Sequence, residues 1–285
     1  MTGLVTYMLE ALAAAVIWGL VPLMIEFAVR RTDPIYVNAW RNVGAAAALI
    51  PICVSEGVLG MGARAAAFTL ASAAVGPGIG LLAYTEALNR EGPSRVVPIS
   101  FTYVVWAQLL GGVLFGEPVG PLTLAGALLS VSGIWALSSG GEAPRGSSAV
   151  GLAVLTSASW ALGAVLSREA LFYAHPLTVA AWRAAALAAA FSGWYALRGS
   201  SLSRDPPAAG VSAASGVFGL GVGLVLYYTA MEVLGVGPSS LASSITPLVS
   251  QVAGRLVGGE PLSARILAGG ALISLGLALA ALQLT

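Results

Sequence analysis

Apolar runs of about 20 residues alternate with short polar breaks along the whole chain. The pattern gives ten candidate spans, at residues 9–29, 35–54, 65–88, 96–115, 122–137, 150–171, 177–197, 208–234, 241–257 and 264–284. A helix needs roughly 20 apolar residues to cross the hydrocarbon core of a bilayer. Backbone inside lipid must satisfy its own polar groups, which leaves only helices or closed barrels. Barrel strands are short and alternate in polarity, whereas these runs are long and rich in Ala, Leu and Gly, so the pattern predicts an all-α membrane protein. The two longest polar connections, SSGGEAPRGSS at 138–148 and GSSLSRDPP at 199–207, are Gly, Ser and Pro turns with no room for a soluble domain.

Composition agrees with the pattern. Hydrophobic residues make up 58% of the 285-residue chain and charged ones 9%, with a mean hydropathy of +0.89. That is too little polar surface to coat a body in water. The bilayer is the expected partner, and a net charge of +1 without any basic run gives no surface for nucleic acid. The single cysteine, Cys53, rules out an internal disulfide and a multi-cysteine metal site, and no cofactor is expected. There is no lysine, hence no Schiff-base or other lysine-based covalent chemistry.

The chain also says the same thing twice. DPIYVNAWR at 33–41 returns as HPLTVAAWR at 175–183, an offset of 142 at which Trp18 also meets Trp160. At 143, Gly76, Gly78 and Gly80 meet Gly219, Gly221 and Gly223, Tyr84 meets Tyr227, Gln108 meets Gln251, and Gly116-Glu117-Pro118 meets Gly259-Glu260-Pro261. The expected organisation is a first repeat over 1–140, a linker over 141–148 and a second repeat over 149–285. Five spans per repeat is an odd number, so the second copy enters the membrane in the opposite sense. Inverted repeats place a site near the midplane between bundles that rock against each other, the architecture of a carrier for a small-molecule substrate. One chain encodes both halves, so a monomer suffices, and nothing in the sequence bears on higher assembly.

The Trp-Gly in AVIWGL (15–20), the Arg early in the second span (Arg41), and the Gly-Glu opening the fifth, each duplicated, resemble the drug/metabolite transporter superfamily. More narrowly, the chain resembles its ten-helix EamA-type group, which includes amino-acid exporters of the YddG kind. The resemblance implies ten helices, termini on one side of an inner membrane, a central cavity lined by spans 1, 3, 4, 6, 8 and 9, and export of small metabolites.

Substrate contacts are sought among polar and aromatic residues at membrane depth. Trp18 and Trp160, with Tyr84, Tyr103, Trp106, Tyr227 and Tyr228, supply rings that either stack on a ligand or fill a bundle core. Trp135, Trp194 and Tyr195 lie toward span ends and read as an interfacial belt. Ser243, Ser244 and Thr246 belong to the densest polar patch of any span, 239–247, where Pro247 frees a carbonyl. Ser100, Thr102 and Tyr103 occupy the corresponding place in the first half. These hydroxyls either face a cavity or bond their own helix. Gln108 and Gln251 need partners inside an apolar span. Arg41 and Arg183 either pair with Glu26 and Glu169 or meet a substrate carboxylate. The Gly-x-Gly-x-Gly runs predict close helix packing. Glu117 and Glu260 suit the N-termini of their own spans.

No mid-membrane carboxylate suggests proton coupling, which favours facilitated diffusion or exchange. An intramembrane enzyme would need a nucleophile-base pair, and His175, the only histidine, precedes Pro176 at a helix start. Carriers of phosphorylated or nucleotide sugars need several fixed cations, more than two arginines supply. The arginine distribution conflicts with the resemblance. With cytoplasmic termini, Arg30, Arg31, Arg90, Arg95, Arg145, Arg198, Arg204 and Arg265 face outward and only Arg64 and Arg168 inward, reversing the positive-inside rule.

Overall fold

The computed structural model describes residues 2–91, 93–138, 147–198, 205–258 and 263–284. All ten expected spans are helical. They are Thr2–Val29, Pro34–Ser55, Ala63–Glu91, Pro93–Ser100 with Tyr103–Phe115, Pro121–Ser138, Ser147–Leu171, Pro176–Leu197, Pro206–Leu234, Val236–Ala242 with Thr246–Gly258, and Ala264–Leu284. We number them spans 1 to 10. The linker at 141–148 lies mostly outside the described residues, as do Gly259, Glu260 and Pro261.

The repeated nonapeptide turns out to be a helix start. Asp33 Oδ1 accepts from the Ile35 N–H at 2.7 Å, and Pro34 takes the first helical position. His175 does the same in the second half, its Nδ1 accepting from the Leu177 N–H at 3.2 Å ahead of Pro176. Such a side chain satisfies one of the four N–H groups a helix start leaves open, and proline lacks the N–H that would be orphaned there. Span 8 opens likewise, with the Asp205 carboxylate accepting from the Ala208 N–H at 2.8 Å before two prolines.

Spans 3 and 8 differ from plain helices at the same point in each repeat. Their glycine runs widen into π-helical turns over Ala74–Leu81 and Val217–Gly223. A π turn sets carbonyls off the regular ladder and often marks a functional place in a helix. Pro77 contributes in the first copy by removing an N–H; glycine alone permits it in the second. Close packing is thus joined by a widened backbone, which the α-helical reading of these runs does not contain. Spans 4 and 9 also break at matching places, at residues 101–102 and at a 3₁₀ turn over Ser243–Ile245, where the Thr246 N–H reaches the Ser243 carbonyl that Pro247 leaves free.

Packing is exchanged between the halves. Span 1 lies against spans 8 and 9 of the second repeat, and span 6 lies against spans 3 and 4 of the first; span 2 packs on span 7 and span 5 on span 10. The last pair crosses on glycines. A Cβ on Gly126 would sit 2.4 Å from the Gly276 carbonyl oxygen, and one on Gly133 would sit 2.6 Å from that of Gly269. Gly126 and Gly133 are the repeat mates of Gly269 and Gly276, so one contact is the other's image.

Candidate functional site

Where spans 1, 3, 6 and 8 meet at mid-length there is a cavity of about 120 Å³, close to ten times the ~10–15 Å³ that one water requires. Its wall is read off helical spacing. Trp18, Val21, Pro22 and Ile25 form one face of span 1, Trp160, Ala164 and Ser167 one face of span 6, and Pro77, Leu81 and Tyr84 one face of span 3. Span 8 brings Leu220, Leu224, Tyr227 and Tyr228, span 4 brings Phe101 and Tyr103, and spans 2 and 7 bring Arg41 and Arg183. Span 9 contributes no side chain to this wall among the described residues. In its place stand the two arginines of spans 2 and 7, which departs from the lining that the resemblance implies.

The tryptophans are exchanged across the repeats. Trp18 packs on Tyr227 with ring centroids 5.0 Å apart and an interplanar angle of 56°, and Trp160 packs on Tyr84 at 5.0 Å and 55°. Each pair joins one half to the other. The widened turns are what admit the indoles: a Cβ on Gly80 would lie 2.8 Å from Trp160 Cδ1, and one on Gly223 would lie 3.0 Å from Trp18 Nε1. Trp18 Nε1 also donates to the Gly219 carbonyl at 2.9 Å, inside the second π turn. Phe101 and Tyr103 set their edges against Trp160 at 5.3 and 5.8 Å, closing the aromatic wall. Geometries of this kind contribute roughly 0.5–1.5 kcal/mol each beyond area burial.

Behind the rings lies a layer of hydroxyls. The Tyr103 hydroxyl and Ser243 Oγ are 2.7 Å apart, as are the Tyr227 hydroxyl and Ser240 Oγ. Ser243 also donates to the Ser240 carbonyl, and Thr246 Oγ1 donates to the Ala15 carbonyl at 3.0 Å, tying span 9 to span 1. Ser244 reaches Ser130 of span 5 at 3.4 Å. These side chains orient the phenols and bridge helices; the cavity wall itself is made of the rings in front of them. Ser100 is buried with no partner for its hydroxyl among the described residues. Gln108 is buried against Gly237 with neither amide atom partnered among the described residues, and Gln251 is half-buried on span 9. Trp106 is 55% exposed and turned away from the cavity. Tyr195, near the end of span 7, is half-buried with its ring centroid 5.2 Å from that of Tyr36.

The carboxylates go elsewhere than expected. Glu26 pairs with Arg30 at 2.6 Å and Glu169 with Arg64 at 3.4 Å, so neither serves a buried arginine. Glu117 does not serve its own span. It accepts from the Val236 and Gly237 N–H groups at 2.6 and 2.8 Å, sealing the start of span 9 across the repeat boundary. Both readings use the affinity of a carboxylate for open helix N–H groups; the nearer set in space belongs to the other half. Arg183 donates to the Tyr228 and Ser167 hydroxyls, and Ser167 Oγ is also 2.7 Å from Ser72 Oγ. Arg41 is 3% exposed, and its Nε and Nη1 have no acceptor among the described residues.

Ser167 and the apolar wall residues, Phe101 and Ile25 among them, are not singled out by the sequence alone. Ser167, Ile25 and the apolar wall residues of spans 1, 3, 6 and 8 carry a spacing signal, each lying three, four or seven positions from a Trp or Tyr on the same helix face; Phe101, at the break in span 4, carries none. No cluster of metal-ligating side chains occurs among the described residues.

Comparison with known proteins agrees with this architecture. The model of the EamA-like transporter family matches residues 5–139 and again 147–282. An uncharacterized transporter of Archaeoglobus fulgidus is 26% identical over 263 residues, 92% of each chain. An uncharacterized protein of Pseudomonas aeruginosa is 32% identical over 166 residues, 55% of this chain and 54% of that one. A solved crystal structure superposes with a TM-score of 0.81 at 21% identity, covering 97% of this chain and 98% of the other, which shows a shared fold. With its duplicated match and its ten helices, the chain belongs to the EamA-like transporter family and is a multi-pass membrane transporter.

Proposed function

We propose that the protein moves small amphipathic metabolites, amino acids foremost, across the cell's inner membrane by alternating access around the aromatic cavity, as an exporter or facilitator. The observation that carries this reading is the exchanged ring pair, Trp18 on Tyr227 and Trp160 on Tyr84. Each pair spans the two repeats at mid-membrane, so rocking of one bundle against the other moves both pairs while the site stays central. A wall of rings with one or two cationic groups suits a solute with an apolar body and a charged head.

Proteoliposomes loaded with unlabelled leucine and given labelled leucine should show saturable uptake and counterflow. Trp160→Ala should reduce the rate by an order of magnitude or more. Flux that stays linear with concentration, or shows no counterflow with any amino acid of a full panel, would sink the reading. A second reading, a carrier of phosphorylated sugars, rests on the two arginines of the wall, fewer fixed cations than such a solute calls for. Glucose 6-phosphate in the same vesicles tests it, and exchange of that solute alone would replace the first reading with the second.

A further inference from the structure

The repeat makes Arg41 and Arg183 mates, yet their surroundings are not mates. Ser167 and Tyr228, which accept from Arg183, correspond to Ile25 and Thr85 in the first half. Isoleucine offers no acceptor. Thr85 is already committed, receiving from Asn38 Nδ2 at 2.8 Å and donating to the Leu81 carbonyl at 2.9 Å. Arg41 therefore lies at the cavity wall as a buried cation with two donor nitrogens unmet among the described residues, on a wall shared with Ile25, Tyr84 and Leu81. Holding such a charge out of water costs several kcal/mol unless something supplies acceptors. The acidic side chains of span 1 and span 6 do not, since Glu26 and Glu169 are taken by Arg30 and Arg64, and Glu10 lies 15 residues before Ile25, about 22 Å along the helix.

We infer that Arg41, and not Arg183, is the anion-recognition residue of the cavity, and that it takes the carboxylate of the transported solute. The inference rests on the reading of this cavity as the transport site and names the head group it selects. A carboxylate is favoured over a phosphate because Arg41 is open at Nε and Nη1, whereas Arg183 already gives its Nη1 to Tyr228 and Ser167. A single open cation matches a single negative charge. The rest of the wall, Trp18, Tyr84, Phe101 and Trp160, takes the apolar body.

The test uses purified full-length protein, with binding followed by tryptophan fluorescence. The probes are leucine, leucinamide, which lacks the carboxylate, 4-methylpentanoate, which lacks the amine, and inorganic phosphate. Leucine and 4-methylpentanoate should bind about 10–100-fold more tightly than leucinamide, the range of a charged hydrogen bond left unmade. Arg41→Met should bring all three within about threefold of one another. Ile25→Ser, which gives Arg41 the partner its mate has, should shrink the preference in part. Without ligand, Arg41→Met should melt at or above the wild-type temperature, because it removes an unpaired buried charge, while Arg183→Met should melt lower, having lost a bonded one.

Equal binding of leucine and leucinamide to the wild type overturns the inference, as does a preference that survives Arg41→Met. So do tighter binding of phosphate than of any carboxylate, and a fall in Arg41→Met melting as large as that of Arg183→Met. Failure of the transport reading looks different. Carboxylates would then bind through Arg41 yet show no counterflow, whereas equal counterflow of leucine and leucinamide would fault Arg41 alone.

Discussion

At the scale of single residues, the site divides into rings that form a surface and hydroxyls that aim the rings. Tyr103 shows the division: its ring stands at 90° to Trp160, and its hydroxyl is held by Ser243 behind the wall. Tyr103→Phe keeps the ring and removes the tether, leaving Ser243 its bond to the Ser240 carbonyl. Interhelical hydrogen bonds in membranes average about 0.6 kcal/mol. The variant should therefore lose little thermal stability while the Michaelis constant for the transported solute rises several-fold, which melting and initial-rate flux measurements separate. The sequence makes the rings legible because Trp18 and Trp160 repeat at mid-span. It does not reveal whether Ser243 or Tyr103 stands in front, since both are polar residues in apolar helices and only the break in span 9 sets their depth. Ser167 is silent for a related reason, because its repeat mate is Ile25 and the comparison that exposes Trp160 conceals it.

At the scale of helices, close approach is the recurring device. Span 5 meets span 10 at Gly126 and Gly276, where a side chain would enter a carbonyl oxygen at 2.4 Å. Gly126→Val must push the two helices apart, and overpacking of this kind costs about 1–3 kcal/mol. Melting in detergent should fall accordingly, while binding to the distant cavity is unaltered; a wild-type melting point for Gly126→Val would show that the crossing is loose. The helix starts carry a separate, pH-dependent element. Arg31 donates to both oxygens of Asp205, and this pairing, with the Ala208 N–H, holds the Asp205 carboxyl below its ordinary value. A lowered carboxyl stabilises the folded state above its unfolded pKa, about 3.9 for aspartate, and that contribution vanishes as pH falls through the native value. Protection of the amides in the first turn of span 8, taken relative to their intrinsic exchange rates, should therefore fall only below about pH 4, and Asp205→Asn should show lower protection at neutral pH with a flatter acid limb. The capped starts at Asp33, His175 and Asp205 are plain in the sequence as cap-then-proline. The π turns are not, because Gly-x-Gly-x-Gly fits a tightly packed α-helix equally well until a tryptophan from the other half demands the space.

For the whole molecule, the exchanged packing puts the first and last helix ends on one face, and the arginines are divided unequally between the faces. Arg30, Arg31, Arg90 and Arg198 flank the loops of the opposite face, together with Arg265 at the start of span 10, whereas Arg64 and Arg168 flank the loops of the terminal face. Two of these side chains fasten one half to the other, Arg31 holding Asp205 on the first face and Arg64 holding Glu169 on the second, while Arg168 donates to the Glu232 carbonyl within the second half. A pairing made after folding does not alter the cost of carrying the arginine across during insertion, so the charge rule still applies to short loops. The arginine-rich face should therefore be cytoplasmic and both termini external, against the orientation that the family resemblance implies. In a Cys53→Ala background, a membrane-impermeant maleimide applied to intact cells should label a cysteine at Gly60, in the loop between spans 2 and 3, and spare one at Ser148, which is equally exposed at the start of span 6 on the arginine-rich face. The reverse labelling would mean that insertion of this chain overrides its own charge asymmetry, and that the cavity's two gates are to be assigned the other way round.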